Sequence, residues 1–334
     1  MKPLGTARRT DSLDFDRTAV TCETDTVLAA LHGLERNLAS VIRGKSESVR
    51  LVLTALVADG HVLLEDVPGT GKTTLAKSLA RSLGGEFRRV QFTPDVMPAD
   101  VTGSSFYRPG DGTFEFRPGP AFCNVLLADE INRASPRTQS ALLEVMGEAQ
   151  VSVEGERRAL PRPFFVIATQ NPNDFHGTYP LPEAQLDRFL MRVTLGYPNA
   201  HSEIEMIESR ATADPFEALK KVATPSDVLQ WQARAREVHC DRSVTQYIVH
   251  LAEASRIDAR VRLGLSPRAS LALHRAAQAR AWLLTRDFVT PDDVRALAGP
   301  VLAHRIQLDT KAKFSGESGE SLIAELLDRV PVPK

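Results

Sequence analysis

The segment LLEDVPGTGKTTLAKSLA, at residues 63–80, restricts the fold of this chain more than any other segment. The apolar run HVLLED predicts a buried strand and TTLAKSLARSL predicts a helix, with a glycine-rich loop between them. In this arrangement the backbone N–H groups of residues 69–73 can surround phosphate oxygens at a helix N-terminus, where the dipole favours anions. We predict that Lys72 contacts the β- and γ-phosphates and that Thr73 offers its hydroxyl to Mg²⁺. The predicted phosphate-binding residues are Pro68, Gly69, Thr70, Gly71, Lys72, Thr73 and Thr74.

The loop departs from the usual pattern G-x-x-x-x-G-K-[ST] at its first position, where this chain has Asp66 instead of glycine. That position falls where the strand ends, before the loop turns around the phosphates. An aspartate fits there if its carboxylate points away from the phosphates and accepts hydrogen bonds from the loop backbone. The departure therefore leaves the prediction of a nucleotide site in place.

Composition and charge argue against several other classes of protein. The chain of 334 residues has 41 Lys and Arg against 42 Asp and Glu, so its overall charge gives no reason to expect nucleic acid or a membrane surface as a partner. The polar N-terminus lacks the apolar segment of a signal peptide, and no run approaches the ~18 apolar residues of a membrane span. The three cysteines are scattered and form no C-x-x-C pair, which favours reduced thiols and a cytoplasmic protein.

Short apolar runs alternate with helical segments over more than half of the chain. FRRVQF, NVLLADE, FFVIAT and FLMRVTL predict further strands, which indicates an α/β fold with a mostly parallel sheet and helices on both faces. After Pro198 the pattern is helical and predicts no strand. We therefore predict a flexible leader at residues 1–24, a core at 25–198 and an all-helical lid domain at 199–334.

Polar residues end two of the predicted strands. Asp129 and Glu130 close NVLLADE, and Asn171 follows FFVIAT. Beside a phosphate loop, the first acid of such a pair holds Mg²⁺, and the second orients the attacking water or takes its proton. Asn171 could position the same water. Taken alone, the acids could belong to a solvated turn and Asn171 to an Asn-Pro turn. The phosphate loop is what favours the catalytic interpretation.

Two arginines are further candidates. Arg188 precedes an apolar strand, and it either forms a surface ion pair or reaches the γ-phosphate of a neighbouring subunit. Arg268 follows Ser266, a predicted N-cap, and so lies in a first helical turn, where the helix dipole disfavours a cation. Some anion must compensate there, and one candidate is the phosphate of a nucleotide bound between the two domains.

Together these motifs resemble those of the AAA+ ATPases and, among them, the MoxR family. The matching segments are LLEDVPGTGKT, QFTPDVMPADVTG, LLADEINRASPRTQSALLEVMGEAQV, ATQNP, YPLPEAQLDRF and GLSPRA, which cover most of the chain from about 26 to 310. The resemblance implies a P-loop sheet of strand order 5-1-4-3-2 that carries a helical lid. The resemblance implies that Lys72 and Thr73 match the Walker A motif and that Asp129 and Glu130 match the Walker B motif. It implies that Asn171 matches sensor 1, Arg188 the arginine finger and Arg268 sensor 2. It also implies that Val41, Ile42 and Gly44 lie nearest the adenine base. Arg133 is placed near the subunit interface without a role.

The resemblance also implies a function and partners. It indicates Mg²⁺-dependent ATP hydrolysis in a ring of identical subunits, with a hexamer as the family's habit. Hydrolysis would be coupled to remodelling, maturation or activation of a client protein, together with a von Willebrand A-domain protein. Related branches handle DNA or drive metal insertion into porphyrins, so a DNA-handling motor and a chelatase-type motor subunit remain alternatives. The balanced charge disfavours nucleic acid.

Two predicted hairpins, at residues 103–122 and 149–164, fit insertions of this family branch. Such loops would face the pore of the ring or a partner. The first hairpin contains Phe106, Tyr107, Phe114 and Phe116, and we expect these aromatic side chains to pack on each other within the hairpin.

Overall fold

The computed structural model describes residues 17–171, 177–212 and 214–333. Its strands are β1 (Val62–Glu65), β2 (Phe87–Gln91), β3 (Gly103–Arg108), β4 (Thr113–Pro118), β5 (Val125–Asp129), β6 (Gln150–Val153), β7 (Glu156–Ala159), β8 (Phe165–Gln170), β9 (Met191–Val193), β10 (Val261–Leu263) and β11 (Gln307–Leu308). Over the described ranges the central sheet is parallel and has the order β2–β5–β8–β1–β9. Numbered along the chain as core strands, this is 5-1-4-3-2, so the predicted sheet order is confirmed.

The helices are α1 (Arg17–Val41), α2 (Ser46–Val57), α3 (Lys72–Leu83), α4 (Pro98–Thr102), α5 (Pro136–Glu148), α6 (Glu183–Leu186), α7 (Ala200–Thr212), α8 (Pro225–Glu237), α9 (Arg242–Ile257), α10 (Pro267–Leu283), α11 (Pro291–Leu302), α12 (Thr310–Phe314) and α13 (Gly319–Arg329). Short 3₁₀ turns cover Ile131–Arg133 and Ala303–Arg305. The predicted leader lies outside the described residues over 1–16, and α1 already begins at Arg17.

Helices cover both faces of the sheet, and this explains why its inner strands are apolar without alternation. On one face, Leu64 and Ile167 pack with α1, α2 and α3. On the other face, Leu63 and Val166 pack with α5. The carboxyl ends of the strands therefore emerge together at one edge of a sheet whose inner strands β5, β8 and β1 are buried, and polar residues can meet in water at that edge.

The lid, residues 199–334 in the predicted division, is mainly helical. One detail of the prediction was wrong, because β10 and β11 form a small antiparallel sheet within the lid. These strands have three and two residues, too few to show a periodic pattern in the sequence.

The lid packs against α2 and β9 through a hydrophobic cluster that is continuous with one face of the core. Trp231 of α8 is fully buried in this cluster, and Gln232 beside it donates a hydrogen bond to the carbonyl of Leu56 at 2.9 Å. The body of the lid is thus fixed beside α2 by apolar burial, the dominant favourable term in such packing. This position decides which lid residues can reach the strand ends.

The two predicted hairpins are present as β3–β4 and β6–β7. In the first hairpin Tyr107 and Phe114 are cross-strand partners with ring centroids 5.3 Å apart, so the expected packing of the four aromatic side chains on each other is confirmed for this pair. Phe106 instead lies under the guanidinium of Arg117, which is 4.9 Å from its ring centroid. Phe116 also lies under the guanidinium of Arg158 from the second hairpin, 4.2 Å from its ring centroid. The two hairpins therefore touch each other.

Among the described residues, none of the helices has the length and apolar character needed to cross a membrane.

Two buried histidines give the fold a dependence on pH. His61 precedes β1, where its Nδ1 accepts the backbone N–H of Val166 at 3.2 Å, and its Nε2 lies 3.1 Å from the carbonyl of Met146. His304 lies in the 3₁₀ turn after α11, with Nε2 3.2 Å from the carbonyl of Phe189. Burial lowers the pKa of both imidazoles, and the charge of Arg305 lowers the pKa of His304 further.

We expect the free energy of unfolding to fall as the pH drops below about 6.5, because the unfolded chain then protonates histidines that stay neutral in the folded chain. Each such histidine contributes a slope of about 1.4 kcal/mol per pH unit. In urea unfolding between pH 7.5 and 5.5, His304→Gln should show a shallower loss than the wild type, and His250→Gln, at an exposed position, should match the wild type. Equal slopes for wild type and His304→Gln would contradict the assignment.

Candidate functional site

A cavity of about 570 Å³ lies at the carboxyl edge of the central sheet, between the core and the start of the lid segment. Of the residues predicted from the sequence, it is lined by Val41, Ile42, Pro68, Gly69, Thr70, Gly71, Lys72, Thr73, Thr74, Asp129, Glu130 and Asn171. Residues 196–198, which follow β9, and residues of α7 at the start of the lid complete the lining. Gly44 is outside the lining; a Cβ there would clash with Ser202 of α7, which does line the cavity. Gly44 thus permits the close approach of α7.

The loop between β1 and α3 has the geometry of an anion site. Gly69 and Gly71 have φ values of +85° and +93°, a region that glycine enters without strain. Helix α3 begins at Lys72, so the loop amides and the positive end of a helix face the same space. Nζ of Lys72 donates to the carbonyls of Asp66 and Val67 at 2.8 and 2.9 Å. To reach a phosphate, this ammonium must turn away from those two carbonyls.

Asp66 is buried, with an exposed fraction of 5%, and its carboxylate points away from the loop interior. Oδ1 accepts the N–H of Val67 at 3.0 Å, as expected for an aspartate at the base of this loop. Oδ2 accepts the N–H groups of Leu195 and Gly196 at 2.8 and 2.7 Å. Sequence reasoning missed this second contact because the partners are 129 and 130 residues apart.

Asp129 is held from two sides at the end of β5. Its Oδ1 accepts the hydroxyl of Thr169 at 2.6 Å, and its Oδ2 accepts Nη2 of Arg89 at 2.7 Å. Thr73 lines the same cavity, so one hydroxyl and one carboxylate are available to a cation. Among the described residues no cluster of three or more His, Cys, Asp or Glu could hold a metal by itself. The donor set fits Mg²⁺, which is usually held by one or two carboxylates together with water and substrate phosphates.

Glu130 is held in an uncommon backbone conformation. Its φ of +58° lies in the left-handed region, which is costly for a residue with a side chain and is often found at functional sites. Its N–H donates to the hydroxyl of Thr169 at 2.9 Å, so Thr169 fixes both acids. Its Oε2 lies 3.2 Å from Nε of Arg133. The motifs assigned no role to Arg133 and did not single out Thr169 or Arg89.

Arg188 and Arg268 are brought together, but not at this cavity. They line a second cavity of about 290 Å³, together with Arg162 and Arg275. Nη1 of Arg188 donates to the carbonyl of Leu143 at 2.7 Å, and its guanidinium occupies the space that a Cβ on Gly147 would need, so a larger residue at position 147 would displace the guanidinium.

The phosphate of a nucleotide between the domains was one candidate anion for Arg268, and the structure places Arg268 at the second cavity and not among the residues that line the cavity of the phosphate loop. Ser266 caps α10 as expected, accepting the N–H of Ala269 at 3.2 Å. The anion nearest Arg268 is Asp187, with Oδ2 3.6 Å from Nε. Packing of the lid on α2 and β9 carries α10 away from the phosphate loop, whereas α7 remains beside it.

Arg305 of the lid holds the segment that carries Arg188. Its side chain is 4% exposed; Nε donates to Oδ1 of Asp187 at 2.9 Å and Nη2 donates to the carbonyl of Phe189 at 2.7 Å. Burial lowers the pKa of Arg305 to about 10, and Asp187 opposes this shift. The lid is thereby tied to the residues on either side of Arg188.

Comparisons with known proteins agree with this geometry. Residues 61–191 match the ATPase family associated with various cellular activities (AAA), and residues 253–326 match the AAA lid domain. The Uncharacterized protein YeaC of Bacillus subtilis is 49% identical over 293 residues, which are 88% of this chain and 92% of that protein. Chaperone MoxR1 of Mycobacterium tuberculosis is 41% identical over 318 residues, covering 92% of this chain and 84% of that protein. The chain belongs to the MoxR family of AAA ATPases.

A solved structure shares the whole architecture of this MoxR-family chain. The crystal structure of a Cytophaga hutchinsonii protein superposes with a TM-score of 0.86 at 35% sequence identity, covering 95% of this chain and 100% of that chain. The fold and family predicted from the sequence are therefore confirmed. For a MoxR-family AAA ATPase, the cavity at the carboxyl edge of the sheet is the nucleotide-binding candidate, and the arginine-lined cavity requires a separate explanation.

Proposed function

We propose that this chain binds and hydrolyses Mg-ATP as one subunit of a ring of identical copies. The observation that carries the proposal is the separation of two sets of groups. The larger cavity contains the phosphate loop, Asp129, Glu130 and Asn171, whereas Arg188 and Arg268 line a different cavity. Cations on that second surface can meet the triphosphate of another copy, so the proposed site is complete only between two copies.

The residues of the larger cavity have distinct proposed roles. The loop amides at residues 69–73 and Lys72 bind the phosphates, and the aliphatic side chains of Val41 and Ile42 contact the base. Thr73 and Asp129 would hold Mg²⁺, which neutralises charge on the phosphates. Glu130 orients the attacking water and takes its proton once its carboxylate is released from Arg133, and the Asn171 amide fixes the same water. From a neighbouring copy, Arg188 stabilises the charge that develops on the γ-phosphate.

Replacing Lys72 with alanine is expected to weaken ATP binding by about 100-fold, because hydrogen bonds to a charged phosphate are lost. Lys77→Ala is the matched control, since Lys77 lies on the same helix α3 but is exposed and faces away from the cavity. Binding of a fluorescent ATP analogue and phosphate release, both with Mg²⁺, measure the effect. Equal ATP affinity in the wild type and Lys72→Ala would contradict the nucleotide site.

We further propose that the ATPase cycle remodels or activates a client protein in the cytoplasm, with a von Willebrand A-domain protein as partner. The support is membership of the MoxR family and the name of a relative, Chaperone MoxR1. The alternative of a DNA-handling motor receives no support from the hairpins. Arg108 pairs with Glu115 at 2.7 Å and Arg158 pairs with Glu156, so an acidic partner balances each of these two cations locally. A chelatase-type motor subunit stays the minor alternative.

A further inference from the structure

The position where this chain departs from the usual phosphate loop connects two parts of the molecule. Asp66 directly follows β1, which lies between β8 and β9 in the sheet. Leu64 of β1 is paired to Val193 of β9. Both strands end at the same edge, so the phosphate loop and the chain that leaves β9 start side by side. The segment after β9, residues 194–199, is here called the linker because it leads into α7 and the lid.

The Asp66 carboxylate is the group that joins them. It accepts backbone N–H groups from Val67 in the loop and from Leu195 and Gly196 in the linker, at 3.0, 2.8 and 2.7 Å. A carboxylate that is 5% exposed needs such bonds to offset its lost hydration, and charge-assisted bonds of this length are strong. The glycine that is usual at this position has no side chain to make them.

The linker is also held by other contacts, so a backbone shift at Leu195 and Gly196 would be passed on to the lid. Gly196 has a φ of +64°, and residues 196–198 line the nucleotide cavity. Ser48 of α2 donates to the carbonyl of Thr194 at 2.9 Å, and Lys45 donates to the carbonyl of Tyr197 at 2.6 Å. Of these contacts, the bonds from Asp66 are those that start in the phosphate loop.

Binding of a phosphate would change the hydrogen bonds of the loop backbone next to Asp66. Lys72 now donates to the carbonyls of Asp66 and Val67, the same two residues that the carboxylate bonds involve. When Lys72 turns to a phosphate, the Asp66 carbonyl loses the Lys72 donor and the Val67 carbonyl keeps only the Thr70 hydroxyl, at 3.3 Å, while the anion fixes the loop amides. The backbone at Asp66 is therefore the point where phosphate binding and the linker meet.

We propose that Asp66 is a positioning residue that couples occupancy of the phosphate loop to the linker and, through it, to α7. The proposal rests on the nucleotide site proposed above. A filled loop opens less often, so the linker amides that depend on Asp66 become better protected. Chains with glycine at this position lack this particular route from the loop to the lid.

Hydrogen exchange measured by mass spectrometry tests the coupling, with Mg-tripolyphosphate as probe because it fills the loop without contacting the linker through a base. In the wild type, the probe should slow exchange both in a peptide over 67–74 and in a peptide over 194–199. In Asp66→Gly, the linker peptide should exchange about tenfold faster without the probe, and its response to the probe should vanish while the loop peptide still responds. The same comparison is made with ATP.

Two further variants guard against a simple loss of folding. Asp66→Asn keeps the size and one acceptor oxygen but removes the charge, and it should give a reduced linker response. Ser48→Ala loosens the linker from α2 without touching the loop, and it should keep the response.

A linker response that persists in Asp66→Gly, or a wild type whose loop responds while its linker does not, would overturn the coupling. If neither tripolyphosphate nor ATP protects the wild-type loop, the nucleotide site itself is wrong.

Discussion

Replacing Arg188 with alanine is expected to lower kcat for ATP hydrolysis by a factor of about 10³–10⁵, the effect typical of an arginine supplied to a γ-phosphate from another subunit. ATP affinity should change little, because Arg188 lies outside the cavity formed by the phosphate loop of its own chain. Phosphate release and nucleotide binding, measured on the same preparation, separate the two effects. Arg234→Ala removes an exposed arginine of the lid and serves as the control.

Mixing experiments decide whether Arg188 acts between copies. Arg188→Ala retains an intact phosphate loop, and Lys72→Ala retains Arg188, so a mixed assembly contains some complete sites. Mixing the two inactive proteins should therefore restore hydrolysis. If both variants assemble, as checked by native mass spectrometry, and the mixture stays inactive, an arginine acting in trans is ruled out.

Glu130→Gln is expected to bind ATP as the wild type does and to hydrolyse it about 10²–10⁴ times more slowly, because the amide cannot accept a proton from the attacking water. The substitution preserves size, so the left-handed backbone and the N–H bond to Thr169 should remain. Glu144→Gln, at an exposed position of α5, is the control. Hydrolysis at the wild-type rate by Glu130→Gln would show that another group acts as the base.

The same variant also addresses the partners. Because Glu130→Gln should stay in the ATP-bound state, the proposed ring should keep partner proteins bound that it would otherwise release after hydrolysis. Affinity capture of Glu130→Gln in Mg-ATP, compared with capture of Lys72→Ala, is expected to enrich a von Willebrand A-domain protein and a client. Equal recovery from both variants would separate partner binding from the nucleotide state.

The sequence predicted those parts of the molecule that local patterns determine. The strand–loop–helix around Lys72, the acids at the end of β5 and the order of the sheet follow from runs of residues and from a fixed set of motifs. A phosphate loop keeps its geometry because its glycines and its helix are neighbours in the chain. Cavity-lining positions such as Val41 and Ile42 came from resemblance to a family, and the structure brings them to the same cavity.

What the sequence could not predict depends on packing between distant segments. The location of Arg268 depends on the packing of α10 against α2. The apolar residues of α10 repeat at helical spacing and indicate which face is buried, but they do not indicate that α2 is its partner. The bonds of Asp66 to the linker and the burial of Arg305 beside Asp187 join residues more than 100 positions apart. In the sequence, Asp66 and Arg305 look like ordinary charged residues, because the sequence does not show that they are buried.

The uninterrupted apolar cluster that joins the lid to α2 and β9 also restricts how the proposed ring could change shape. Swinging the lid away as a hinged flap would hydrate that cluster, at roughly 25 cal/mol for each Å² of apolar surface exposed. Each chain should instead move as one rigid body, and the motion should be concentrated at the interfaces between adjacent subunits. Conformational change during ATP hydrolysis would then consist of tilting of whole protomers relative to each other. Distances measured between probes on two adjacent protomers should change far more during the cycle than distances between two probes on one protomer.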